Sequence, residues 1–262
     1  MIELHTLASG SSGNALLLSR DGTHLLLDAG ISCRRIAAGL GQLGLTLRDL
    51  TAVLITHTHS DHISGLQTLV NRCEIPIYAS RGTAGGLAYR IAGIEPVLRP
   101  FAAGETLTVG GITVTPFETS HDALGSTGYR MDDAGVLTDT GYVTREAEEV
   151  LSGVSLLVLE SNHDVDLLRS GPYPYYLKKR ILGDQGHLSN EAAGAFAVTA
   201  ARAGAREIVL AHLSKENNTP QTALSAVSAA LRKEGFSPRL SVAPRDTLSE
   251  AYTTREALEC SG

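Results

Sequence analysis

Residues 56 to 62 read Thr-His-Thr-His-Ser-Asp-His, and four side chains able to ligate a metal, His57, His59, Asp61 and His62, fall within six residues. Ahead of them Ala52-Val53-Leu54-Ile55 is short, apolar and partly β-branched, the pattern of a buried strand. The ligands therefore lie on the loop that leaves a strand. Side chains at i and i+2 of an extended segment share a face. His57 and His59 can thus converge on one ion, while Asp61 and His62, past the bend, are free to hold a second. Packing gives no reason to set an Asp among three histidines after a strand.

One loop does not complete a metal site. His121, Asp139 and His212 each follow an apolar run, in Thr119-Ser120-His121-Asp122, Leu137-Thr138-Asp139 and Leu210-Ala211-His212. Each is the polar residue at the C-terminal end of an expected strand. Ligands delivered by several strand ends can meet at one sheet edge, and strands hold them rigidly. Singly, any of the three reads as a hydrogen-bonded histidine or turn aspartate. Together with the first loop they supply a two-metal set: His57, His59 and His121 on one ion, Asp61, His62 and His212 on the other, and Asp139 between. Imidazole and carboxylate donors suit zinc, manganese or iron, and no thiolate forces zinc. His187 is favoured as a catalytic group outside the ligand set, and His163 as a loop-structuring or substrate-side residue. His5 and His24 fall within strand patterns and read as structural.

The chain has 262 residues, 22 Lys and Arg against 28 Asp and Glu, and a formal charge of −6. That balance argues against broad, nonspecific coating of DNA, although bound divalent ions add local positive charge. Mean hydropathy is +0.03. With no apolar run of membrane-spanning length and no basic, apolar leader at the N-terminus, the expectation is a cytoplasmic protein with no membrane association. Cys33, Cys73 and Cys260 form no metal-ligand or disulfide pattern.

Pattern and turn residues predict strands at 2–8, 15–19, 24–28, 52–56, 75–79, 106–109, 112–118, 127–131, 135–138, 154–160, 207–211 and 239–243. Helices are predicted at 32–43, 64–72, 81–92, 144–152, 189–203 and 220–234. Thr144 and Thr219 are the expected caps of two of these, with Pro220 opening the last. Two runs of strands, each followed by helices, predict an α/β fold: a single domain over 1–262 built as a four-layer αββα sandwich.

The order His-x-His-x-Asp-His, then a later His, an Asp and a final His resembles the metallo-β-lactamase fold superfamily. An Asp at 139 and a His at 62 are similar to its binuclear phosphodiesterase and glyoxalase II branches. The segments Leu7 to Ala15, Ile55 to Asp61, Glu160-Ser161-Asn162-His163-Asp164, Gly186-His187-Leu188-Ser189-Asn190 and His212 to Asn218 look like the YycJ/WalJ nuclease group. That resemblance implies a metal-dependent exonuclease acting on double-stranded DNA from the 5′ end. The stretch from His187 to His212 also resembles the end of tRNA 3′-processing ribonucleases, which implies a catalytic role for His187. No long insertion separates Asp139 from His187, so the capping domain of the β-CASP nucleases is not expected.

The mechanism expected is attack by a hydroxide shared by two divalent ions roughly 3.5–4 Å apart. Asp61 would orient it and His187 would serve the leaving oxygen. The glycines and hydroxyls of 9–14 read either as a phosphate-contacting loop, with Ser12 and Asn14 as contacts, or as a tight turn. Lys178 and Lys179, preceded by Tyr173, Tyr175 and Tyr176, read either as a nucleic-acid contact or as a solvated helix face. Asn190 is a further candidate contact. No obligate protein partner is expected. Competing functions are a small-molecule hydrolase, either a cyclic phosphodiesterase or a glyoxalase II-like thioesterase, which the acidic charge favours, and a metal-binding regulatory module without turnover.

Overall fold

Residues 16–18 and 25–27 are six leucines in two unbroken runs. A sheet that is wet on one face would alternate apolar with polar, so unbroken runs require both faces to be covered. The structure, a computed structural model, describes residues 1–254 and covers them in this way. Leu17 and Leu26 point into a core shared with helices. Leu16, Leu18, Leu25 and Leu27 point into a second core shared with another sheet. Cys260 lies outside the described residues.

The first half runs β1 (Glu3–Ala8), β2 (Ala15–Arg20), β3 (Thr23–Leu27), α1 (Cys33–Gln42), β4 (Ala52–Leu54), α2 (Ser60–Ile63), α3 (Leu66–Val70), β5 (Ile77–Ser80), α4 (Arg81–Arg90) and β6 (Leu98–Phe101). The second runs β7 (Leu107–Val109), β8 (Ile112–Glu118), β9 (Thr127–Met131), β10 (Ala134–Leu137), α5 (Arg145–Leu151), β11 (Leu156–Glu160), α6 (Val165–Ser170), α7 (Tyr175–Ile181), α8 (Asn190–Ala203), β12 (Glu207–Ala211), α9 (Pro220–Lys233) and β13 (Arg239–Val242). A short β14 (Tyr252–Thr253) returns to pair with β1. The sheets are ordered β14-β1-β2-β3-β4-β5-β6 and β13-β12-β11-β10-β9-β8-β7. They pack face to face, with α1, α3 and α4 outside the first and α5, α8 and α9 outside the second. The expected four layers are present.

Direction along the sheets places the site. β3, β4 and β5 are mutually parallel in register, as are β10, β11, β12 and β13. Parallel neighbours end at the same edge, so residues that follow β3, β4, β10, β11 and β12 emerge together, the usual position of a ligand site in α/β sheets. Tyr129 donates its hydroxyl to Ile55 O across the two sheets at 2.7 Å, close to that edge. Side chains cap the starts of α1, α4, α5, α6, α8 and α9: Ser32, Ser80, Thr144, Asp164, Ser189 and Thr219 each accept a backbone N–H from three residues on.

Three departures from the sequence pattern have physical causes. The helix expected at 64–72 is the shorter α3, and a separate helical turn, α2, precedes it, with Gly65 between them. Its Cα sits where a Cβ would meet Ile31 O at 2.1 Å. Asp61 and His62 therefore ride on the helical turn α2 rather than on a loop. β6 has no apolar alternation, since its Arg99 and Pro100 are exposed at a sheet edge, where proline is tolerated. α6 and α7 are short and flank Gly171 and Pro172, which broke the helical period that would have announced them.

The first sheet also clasps the metal loop from below. Asn14 N donates to Asp61 O at 2.8 Å and Gly30 N to Asn14 O at 2.8 Å. A Cβ on Gly30 would lie 1.6 Å from Asp61 O. Replacement by alanine must push the α2 turn away. Gly30→Ala is expected to lower stability by about 1–3 kcal/mol, as overpacking does, and to reduce bound metal. Thermal unfolding and elemental analysis on the same preparation check both.

Candidate metal centre

Ile55 ends the buried run, and the chain turns through Thr56 into the histidines. The structure gathers the ligand atoms of His57, His59 and His121 within 4.8 Å of one another, and likewise those of Asp61, His62 and His212. Two further sets overlap these, His57 with His62 and Asp139, and Asp139 with Glu160, His187 and His212. His59 Nδ1 is 3.2 Å from His121 Nε2. Asp61 Oδ2 is 3.5 Å from His62 Nε2 and 3.4 Å from His212 Nε2. Asp139 lies between: its carboxylate is 3.3 Å from His62 Nε2 and 3.8 Å from His121 Nε2.

The site is built to take cations. His57 Nε2 and Asp139 Oδ2 are buried and have no hydrogen-bond partner. Unpaired buried polar atoms are destabilising, and both of these point into the cluster. Imidazole nitrogens and carboxylate oxygens converge there. The residues therefore fit divalent metal ions.

A layer of carboxylates and backbone groups orients the ligands. Asp28, at the end of β3, holds His62 Nδ1 at 2.7 Å and accepts from Thr56 N and Thr56 Oγ1. Glu160, fully buried at the end of β11, accepts from His187 Nδ1 at 2.8 Å and His212 Nδ1 at 2.9 Å through one oxygen. Its other oxygen accepts from Thr140 N and Leu188 N. His121 Nδ1 faces Gly186 O at 3.1 Å. Fixing one ring nitrogen leaves the other aimed at the metal face. Asp28, Asp139 and His212 all take positive φ, at 61°, 58° and 56°. Left-handed backbone is uncommon for such residues, and here it turns each side chain from a strand end into the cluster.

The charges follow from this packing. Burial alone would raise the pKa of Glu160, but the adjacent His187 and His212 outweigh it and hold the carboxyl well below its usual range. Burial opposes a charged His212, yet Asp139, Asp61 and Glu160 lift it to about 10. His62 behaves alike, raised well above the ordinary value by Asp139 and Asp28 against burial. His57 goes the other way: burial and then the neighbouring histidines push it well down.

Other candidates divide. His187 joins the cluster with Asp139, Glu160 and His212, its side chain 19% exposed and Nδ1 committed to Glu160. Asn14 braces the centre: Oδ1 accepts from Gly10 N, while Nδ2 reaches Asp61 O at 3.3 Å and His62 Nε2 at 3.1 Å. Ser9 Oγ accepts from His212 N at 2.9 Å, so the 9–14 loop grips both ends of the ligand set. Ser12 is exposed at its tip. Lys178 Nζ caps Arg169 O at 2.6 Å, and Lys179 lines a groove with Arg180 and Asp122. Asn190 is not a surface contact. It is fully buried, and its amide is occupied by Ser161 Oγ and Asn218. His163 is buried as well, which pushes its pKa down to about 4 and makes it a neutral part of the scaffold. The orienting roles of Asp28 and Glu160 were not read from the sequence. Both end apolar strands, the same signal that marked Asp139 and His212.

Two outcomes follow from this geometry. Ligand imidazoles must be neutral, so loading stripped protein must displace the protons of His62 and His212. Metal binding is expected to release roughly two protons at neutral pH and to tighten as pH rises toward the His212 value. Calorimetry in buffers of different ionisation enthalpy measures this, and a proton count near zero contradicts it. Glu160→Gln is expected to weaken metal affinity by about 10–100-fold, the usual effect of losing an orienting partner, as read by competition with a chelator.

The arrangement has known counterparts. Residues 23–213 match the family model described as "Beta-lactamase superfamily domain". The chain is 38% identical over 240 residues to the exodeoxyribonuclease YycJ of Bacillus anthracis, covering 90% of this chain and 91% of that protein. It is 39% identical over 224 residues to the exodeoxyribonuclease WalJ of Streptococcus pneumoniae, covering 83% of each. The metallo-beta-lactamase fold protein YhfI of Bacillus subtilis superimposes with a TM-score of 0.70 at 19% identity, over 95% of this chain and 98% of that one. Ligand order, layer order and relatives agree: the chain belongs to the beta-lactamase superfamily, among the metal-dependent hydrolases grouped with YycJ and WalJ.

Proposed function

We propose that this protein is a DNA phosphodiesterase that uses two divalent cations, most simply zinc or manganese, with iron an alternative, and acts as a 5′-to-3′ exonuclease on double-stranded DNA. The observation that carries the reading is the convergence of His57, His59, Asp61, His62, His121, Asp139 and His212 into two ligand sets linked by Asp139. The exodeoxyribonuclease names of the two relatives support DNA as the substrate.

Two such cations would neutralise phosphoryl oxygens and acidify water at the centre. The chain supplies the rest. Asp61 Oδ2 faces His62 and His212, and the side chain is 22% exposed. Burial would raise its pKa, but the hydrogen bonds from His212 and His62 hold it well below the usual carboxylate range. It stays an anion and can accept a hydrogen bond from an attacking water, fixing its lone pair toward phosphorus. His187 donates Nδ1–H to Glu160, which leaves Nε2 to serve the leaving oxygen. Glu160 thus sets the tautomer and tilt of His187 while holding His212 with the same oxygen.

His187→Ala is expected to lower kcat by about 10²–10⁴-fold, the range of a lost general acid, with metal content unchanged. Loss of metal in that variant would place His187 among the ligands. The substrate is tested by a time course of stripped protein with manganese, magnesium or zinc on 5′- and 3′-end-labelled single- and double-stranded DNA. Bis-p-nitrophenyl phosphate and an S-acyl glutathione serve as comparisons. Stepwise release from the 5′ end of the duplex is expected. Preference for the thioester would overturn the phosphodiesterase reading.

A further inference from the structure

Beside the metal ligands an open groove of about 610 Å³ is lined by Ser120, Asp122, Tyr142, Lys179, Arg180 and the 183–185 turn. One wall extends the ligand loops, and the other is the end of α7 and the turn after it. Ser120 and Asp122 flank His121, and Tyr142 follows Asp139 by three residues. Gly141 N donates to Ser120 O at 2.8 Å, Ser120 Oγ to Asp184 O at 2.7 Å and Thr140 Oγ1 to Tyr142 O at 2.6 Å. The groove is therefore held in fixed register with the metal centre.

Asp122 joins the two. Oδ1 lies 3.5 Å from both His59 Nε2 and His121 Nε2, while Oδ2 accepts from Arg180 Nε at 2.5 Å. The Arg180 side chain is 52% exposed, and among the described residues only its Nε is engaged. The remaining N–H groups form a fork suited to a phosphate. Tyr142 is 51% exposed in the same groove, and exposed aromatic faces stack bases. Two cations, Lys179 and Arg180, share the groove with two carboxylates, Asp122 and Asp184, so any anion held here is held by placement rather than by net charge.

Resting on the phosphodiesterase reading, we propose that this groove is a nucleotide subsite for the strand flanking the scissile bond. Arg180 grips a backbone phosphate, Tyr142 stacks a base, and Asp122 positions the guanidinium one carboxylate away from the metal ligands. Lys178, turned onto the carbonyl of Arg169, contributes little by comparison.

The test uses the metal-loaded full chain and a fluorescent, single-stranded phosphorothioate oligodeoxynucleotide, with anisotropy measured across a salt series. Arg180→Ala is expected to weaken binding about tenfold and to flatten the salt slope by about 0.7, the share of one phosphate on a single strand. Arg180→Lys recovers only part, because an ammonium lacks the fork. Tyr142→Ala weakens binding about tenfold and Tyr142→Phe restores it, since stacking needs the ring and not the hydroxyl. Elemental analysis showing wild-type metal content in all four variants assigns the losses to the groove. Both alanine variants binding within about twofold of wild type, with an unchanged slope, overturn the subsite. Hydrolysis of bis-p-nitrophenyl phosphate by the wild-type protein judges the catalytic reading separately. Its failure overturns that reading, while the binding pattern above still supports a nucleotide groove.

Discussion

Charged and chargeable side chains taken out of water must find partners, and at this sheet edge they find one another. Asp28, Asp139 and Glu160 are buried between His62, His121, His187 and His212. Removing any one leaves a buried partner exposed to the full penalty of desolvation, which is larger than the net worth of an ordinary hydrogen bond. The surrounding structure is arranged to keep the buried members together.

That requirement explains features with little other purpose. Left-handed backbone at Asp28, Asp139 and His212 is unfavourable locally. It persists because each of these residues follows a strand whose neighbours are buried on both sides. The 9–14 loop, far from the ligands in sequence, ties down Asp61 through Asn14 and His212 through Ser9. Glu160 uses one oxygen for two histidines and the other for two backbone amides. Such sharing makes metal affinity and the orientation of His187 a single property of the site.

Charge is distributed to match. A net charge of −6 gives weak general attraction for a polyanion. Asp122, next to His121 in the chain, lies 3.5 Å from His59 and His121 and pairs with Arg180 of α7.

Much of this was legible in the residues themselves. Leucines in unbroken runs announced strands covered on both faces, and the His-rich loop after Ile55 announced the centre. Polar residues ending apolar runs marked His121, Asp139 and His212, because strand periodicity and burial are local properties written in short windows. Asp28 and Glu160 carried the same mark, but nothing in a linear reading says which imidazole a carboxylate will face. The fate of Asn190, swallowed among Ser161 and Asn218, was equally invisible, since burial of a polar amide depends on partners dozens of residues away. On α7 the sequence pointed to Lys178 and Lys179. Only packing turned Lys178 back onto its own helix pair and Arg180 toward Asp122. Local chemistry thus named the candidates, while the parallel order of two packed sheets decided which atoms meet, because distance in space is set by strand direction and not by separation along the chain.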